Sequence, residues 1–183
     1  MPSESPTPHE PSQGFAAPFG AELVRVMGAP GERWVPALRV LYAELLAVLV
    51  RFDPEVDPST QLQSDWWQRP DELFAYLLLV NGEPAGFGLV LTGAYVPAVG
   101  AEGDAALWEF FIADAHRGTG LAQASLNEIV RRHPGVWSVQ TRPANERALR
   151  FWRGCLLGPP LQGTEQPSSE ATAGFTRFTF HST

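Results

Sequence analysis

Apolar residues along the chain fall into two rhythms. Leu38, Leu41, Leu45, Val48 and Leu49 recur at spacings of three and four, which predicts a helix over Trp34 to Arg51 with these residues on one face. Pro36 falls in its first turn, where a missing N–H costs little, and Asp53-Pro54 stops it. A second helix is predicted over Leu121 to Arg132, with Leu121, Ala124, Leu126, Ile129 and Val130 apolar, and a third over Asn145 to Cys155. Between them run short apolar segments of strand character: Ala21 to Met27, Leu73 to Val80, Ala85 to Leu91, Ala106 to Ile112 and Val136 to Thr141. Asn81-Gly82 is a hairpin turn between two of these. Phe175 to His181 is a last strand whose Phe175, Phe178 and Phe180 cannot all share a face.

The stretches between are irregular. Residues 53–72 are acidic, with a short helix expected around Ser64 to Gln68. Residues 92–105 read as a Gly/Ala loop carrying Tyr95, and Leu156 to Ala173 as a Gly/Pro/Ser loop. Residues 1–18 hold five prolines and read as a disordered tail, leaving 19–183 as a single domain. Strands interleaved with helices place the chain in the α/β (α+β) class, with a mixed sheet covered on its faces.

Composition narrows the function. The net charge is −7, and all thirteen basic residues are arginine, with no basic run to neutralise phosphates; nucleic acid is not an expected partner. The acidic balance suits a cationic substrate. One cysteine, Cys155, excludes an internal disulfide, and His9, His116, His133 and His181 show no ligand spacing, so no metal is expected. Cys155 reads as inert core or as a nucleophile, with packing the simpler account. Leu38 to Val50 is too short and too charged to span a bilayer, which needs about 20 apolar residues. No membrane partner is expected, and a cytoplasmic setting is the default.

The chemistry concentrates after the strand ending at Ile112. There an apolar strand runs into Arg117-Gly118-Thr119-Gly120-Leu121-Ala122 and then a helix. A helix N-terminus presents unpaired N–H groups and a positive dipole end, and glycine lets a ligand approach the backbone. Alone, this is either an anion cradle or a tight helix cap. A dinucleotide fingerprint lacks its third glycine, because residue 123 is Gln, and a P-loop lacks its lysine.

Joined to a second motif, the loop resembles the GNAT acetyltransferase superfamily. Arg117, Gly120 and Ala122 match its Arg/Gln-x-x-Gly-x-Gly/Ala pattern. Asn145-Glu146-Arg147-Ala148-Leu149-Arg150-Phe151-Trp152 matches its Asn-x-x-Ala-x-x-Phe-Tyr pattern except at the last position. The resemblance covers residues 73–158 well and 21–52 loosely, and extends to a bacterial subgroup of undefined substrate.

The resemblance implies a mixed, mostly antiparallel sheet with helices on both faces. One parallel pair, Leu107–Ile112 and Val136–Thr141, would splay to admit acetyl-CoA as co-substrate. The pantetheine arm would meet the strand near Phe111 and Ile112, and the pyrophosphate would sit on Arg117, Gly118, Thr119, Gly120, Leu121 and Ala122. Asn145, Phe151 and Trp152 would complete the cofactor side. The implied reaction is N-acetylation of a primary amine by direct attack; the alternative is a catalytically degenerate acyl-CoA-binding module. Some relatives pair through C-terminal strands, which leaves a homodimer open.

An attacking ammonium must lose a proton, so a base is needed. Glu109 is the candidate, a carboxylate among Trp108, Phe110 and Phe111; it either serves as base or pairs with an arginine. Trp152 occupies the place where the family often has Tyr as general acid, and indole cannot protonate a thiolate. Tyr95 is the substitute acid, with Tyr42, Tyr76 or water as alternatives. Asp65, Trp66 and Trp67 either wall an acceptor site for a cationic amine or anchor a solvated loop.

Overall fold

A computed structural model describes residues 20–60, 67 and 69–183. The predicted disordered tail, the helix around Ser64 to Gln68 apart from Trp67, and Asp65 and Trp66 lie outside these residues. Every strand described belongs to one seven-stranded sheet in the order β1-β2-β3-β4-β5-β7-β6. The strands are β1 (Ala21–Val26), β2 (Leu73–Val80), β3 (Glu83–Thr92), β4 (Ala105–Ile112), β5 (Gly135–Thr141), β6 (Thr164–Gln166) and β7 (Thr176–Ser182). The helices described are α1 (Val35–Leu49), α2 (Tyr95–Ala98), α3 (Leu121–Arg132) and α4 (Glu146–Leu156). The described pairings are antiparallel except β4 with β5.

Local chemistry explains the joints. Asn81 and Gly82 both take positive φ, 52° and 79°, which is the backbone that a two-residue hairpin turn matched to strand twist requires. α1 buries Leu38, Leu41, Tyr42, Leu45 and Leu46. Val48 and Leu49, expected on that buried face, are only half-buried because they line an opening in the sheet described below. Residues 92–105 and 156–173 hold more structure than expected: α2 in the first, β6 and a short 3₁₀ turn at Glu170–Thr172 in the second. β6 is three polar residues held by β7, so it has no apolar period to read.

Two apolar layers sandwich the sheet. One lies under α1 and includes Tyr42, Leu77, Phe87, Ala106 and Phe111, with Trp108 packed against it. The other lies under α3 and α4 and includes Leu107, Ile112, Trp137, Val139 and Phe178, with Phe110 packed against it.

β4 changes phase partway along. Leu89 pairs with Glu109 but Val90 pairs with Leu107, so Trp108 is an extra residue in β4. Such a bulge breaks the two-residue alternation. Ala106 and Trp108 face α1, while Phe110 and Ile112 face α3 and α4. Glu109, next to Phe110, therefore shares the α1 face with Trp108.

Candidate active site

The parallel pair is short. Ala105, Ala106 and Leu107 register with Trp137, Ser138 and Val139, and the pairing ends there. Beyond it, β4 continues against β3 to Ile112, and β5 against β7 to Thr141. The two strands part, and their facing edges leave backbone groups free for a ligand.

Two cavities meet at this split. The larger, about 580 Å³, runs beneath the start of α3. The smaller, about 270 Å³, lies towards the end of α1 and Phe175. Both are bounded by Leu107, Trp108, Glu109, Gln140, Thr141 and Asn145. They form one cleft that passes the split.

The larger cavity collects most of the cofactor residues expected from sequence: Phe111, Ile112, Arg117, Gly118, Gly120, Ala122, Asn145, Phe151 and Trp152. Gly118 and Gly120 take φ of 76° and 86°, a left-handed backbone that side-chain-bearing residues resist. A Cβ added at Gly118 would meet nothing within 4 Å, so this turn is open to a ligand. Gly120 caps α3 and offers no side chain to its amides, which have no intrahelical acceptors. The loop thus presents backbone amides of the kind that can cradle an anion.

Thr119 and Leu121 work differently from their neighbours. The Thr119 hydroxyl donates to the His116 carbonyl at 2.8 Å, and Leu121 is buried in the core. They shape the loop and do not line the cleft. Arg117, expected at the phosphates, also has contacts within the protein. Its Nε donates to the Ile112 carbonyl at 2.8 Å, and its guanidinium pairs with Asp114 and lies over the Phe111 ring. Arg117 ties the loop to the end of β4.

Asn145 caps α4, its Oδ1 accepting the Ala148 amide at 3.1 Å. Trp152 is buried; its ring lies 4.8 Å from Phe151 and 5.9 Å from Phe110 between centroids. It forms an aromatic wall of the cleft.

Glu109 stands where the cavities join. Its residue surface is half-buried, and the part left open faces the cleft. The surrounding protein strips enough water from the carboxyl to push it up to about 8. Tyr42 of α1 lies within reach of its field: burial, and then the Glu109 charge, raises the phenol to about 12. An arginine partner, the alternative reading of Glu109, does not contribute to its shift, whose cause is desolvation.

The other tyrosines are elsewhere. Tyr95 lies on α2 beneath the Arg69 guanidinium, 5.1 Å from its ring centre, and lines neither cavity. Tyr76 bonds His133 at 2.7 Å, among residues of the α3–α4 layer. Trp67 packs against Gly28, where an added Cβ would fall 2.0 Å from the indole. It too lines neither cavity. Burial raises the Cys155 thiol to about 11, which fits the inert reading.

Sequence reasoning missed the residue that organises the smaller cavity. Arg142, just past β5, donates from Nε to Asp53 Oδ2 at 2.6 Å and from Nη2 to Glu55 at 3.2 Å. Its Nη1 donates to the Ala173 carbonyl at 3.1 Å, and its guanidinium lies 3.9 Å from the centre of the Phe175 ring. One side chain thus joins three segments around that cavity. The signal for it in the sequence was a run of acids after α1 that needed a cation.

No group of three or more metal-ligating side chains occurs among the described residues, and no described helix is long and apolar enough to cross a membrane.

A mixed sheet opened at its parallel pair, with a glycine cradle at one end of the opening, is the architecture of an acyltransferase of the GNAT type. A family model described as Acetyltransferase (GNAT) family matches residues 39–155, and the chain belongs to that family. Solved structures agree on the fold. The GNAT domain of S. lividans PAT superposes with a TM-score of 0.64 at 17% identity, covering 97% of this chain and 100% of that one. An acetyltransferase from Thermus thermophilus gives 0.61 at 17%, covering 91% and 98%. The PaiA N-acetyltransferase of Thermoplasma acidophilum, in complex with coenzyme A, gives 0.60 at 8%, covering 90% and 100%. No curated protein matches the sequence.

Proposed function

We propose that the chain is an acetyl-CoA-dependent N-acetyltransferase acting on a primary amine by direct attack. The observation that carries this is Glu109: a desolvated carboxyl on a strand bulge, at the junction between a cavity with an anion cradle and a second cavity without one.

The larger cavity suits acetyl-CoA. Its pyrophosphate fits the amides around Gly118 and Gly120, and its pantetheine arm fits the free edge of β4. The coenzyme A complex of the Thermoplasma relative supports this reading. When bound, acetyl-CoA supplies a thioester carbonyl open to attack by a neutral amine.

The chain supplies the rest. An amine entering from the smaller cavity arrives protonated. Glu109, with its affinity for protons set near 8, takes one proton and leaves the nitrogen lone pair free. Free N–H groups along the split strands would serve as donors to the oxyanion. Trp152 holds the cofactor side by packing. With Tyr95 away from both cavities, the second amine proton leaves with the thiol through water.

Calorimetric titration with acetyl-CoA, paired with a thiol-release assay over a panel of amines, tests the reading. Binding and amine-dependent release are expected. Binding with no release over the whole panel would replace the transferase with an acyl-CoA-binding module, and no binding would remove both.

A further inference from the structure

The wall of the smaller cavity carries a buried hydroxyl with nothing to bond. Ser138 on β5 is fully buried, and its Oγ has no hydrogen-bond partner among the described residues. Its strand neighbours Trp137 and Val139 face the α3–α4 layer, so Ser138 points to the α1 face, the face that Glu109 shares. Both residues border the smaller cavity. A buried hydroxyl without a partner is unfavourable, and serine here is not needed to fill space. Alanine would do so without the cost.

The rest of that cavity says what could satisfy it. Nine of its sixteen lining residues are apolar, among them Leu49, Phe52, Val56, Val99, Ala101 and Phe175. Its polar lining runs along Ser138, Gln140, Thr141, Arg142 and Asn145, so a peptide lying against the apolar part would bury N–H and C=O groups away from partners. Among the described residues the nearby acids are already engaged: Asp53 and Glu55 with Arg142, and Glu102 with Arg177. Glu109 remains for one ammonium, which leaves a second cationic group without a counter-charge. The volume, about 270 Å³, falls just below the roughly 300 Å³ at which small-molecule sites begin, which suits a compact acceptor.

We propose that the acceptor is a compact primary amine with an apolar tail, its nitrogen bonded by Ser138 Oγ opposite Glu109 and its tail against Phe52 and Phe175. The proposal rests on the transferase reading above. An N–H of the amine donates to Ser138 Oγ, which gives the hydroxyl oxygen a partner and leaves the lone pair to the thioester. Glu109 takes the proton that the ammonium sheds.

The test compares 2-phenylethylamine, spermidine and an alanine-initiated tripeptide as acceptors for the wild-type protein and for Ser138→Ala. Acetyl-CoA affinity and thermal midpoint are measured for both proteins. Wild type is expected to prefer 2-phenylethylamine at least about tenfold in kcat/KM. Ser138→Ala is expected to raise its KM about tenfold, with acetyl-CoA affinity unchanged and the thermal midpoint equal or higher. A purely structural serine would instead lower the midpoint and leave KM alone, which overturns the role of Ser138. Preference for spermidine or the tripeptide overturns the acceptor class, as does acetyl-CoA binding with no acetylation of 2-phenylethylamine. Failure of acetyl-CoA to bind the wild-type protein sinks the underlying transferase reading instead.

Discussion

Arg142 and Asp53 are 89 positions apart in sequence, yet their side chains meet at 2.6 Å beside the smaller cavity. Burial raises the Asp53 carboxyl, but the Arg142 hydrogen bond, the Glu55 amide and the Arg142 charge together bring it below its usual range. The pair therefore adds stability at neutral pH that is lost as pH falls through the lowered value. Arg142→Met is expected to cost about 1–3 kcal/mol, between an exposed and a fully buried pair. Urea unfolding at pH 7 measures it. The variant should also lose acceptor KM before it loses acetyl-CoA affinity, because the segments that Arg142 joins border the acceptor side.

Glu109 gives a pH signature. A base must be ionised, so transfer should rise with pH through about 8. Glu109→Gln should lower kcat by about 10²–10⁴-fold with acetyl-CoA affinity retained. Stability runs the other way. The folded-state value lies above the unfolded one, so the contribution of Glu109 is greatest below about 4.5 and is lost as pH rises through about 8. Denaturation midpoints of Glu109→Gln should lack this decline. A kcat that is flat with pH in the wild type, or a fully active Gln variant, would remove Glu109 as the base.

His133 should act oppositely to Glu109. Burial, then the charges of Arg25 and Arg132, lowers its imidazole to about 4. It is neutral when it bonds the Tyr76 hydroxyl at 2.7 Å. A lowered histidine makes the unfolded chain take up protons first. Stability should therefore fall as pH drops from about 6.5 to about 4. Thermal melts of His133→Gln across that window should show a shallower slope than wild type.

Gly120 separates conformation from charge. Its φ of 86° is strained for any side-chain-bearing residue, so Gly120→Ala should cost about 1 kcal/mol of stability. Gly120→Glu adds a carboxylate to the anion cradle. Acetyl-CoA affinity should fall by on the order of 100-fold or more, well beyond the Ala variant. Equal affinities for the two variants in calorimetry would move the pyrophosphate elsewhere.

Local pattern accounts for much of this structure. β2 and α3 run over Leu73–Val80 and Leu121–Arg132, the spans their apolar periods predict. The glycine loop and Asn145 carry backbone requirements written in the residues themselves. Other parts depend on partners far along the chain. β6 exists because β7 lies beside it, and Arg142 finds Asp53 only once β5 and α1 are in place. Arg117 has two acceptors nearby, the Ile112 carbonyl and Asp114, and sequence does not say that it bonds both. Tyr95 and Trp67 look like site residues by type, but α2 and the packing on Gly28 carry them away from the cleft.

The irregularity at Trp108 acts as a phase shifter. Suppose β4 kept every residue but paired with β3 without interruption. Strict alternation from Leu107 would then send Glu109 to the face held by Leu107, into the packed layer under α3 and α4. The proposed base and the proposed acceptor cavity would lie on opposite sides of the sheet, with every residue of both still present. Removing Trp108 outright would do the reverse: Glu109 would follow Leu107 directly, and alternation alone would hold it on the α1 face. What the cleft needs from this position is thus a count of residues along the strand, and the indole is a separate matter of lining.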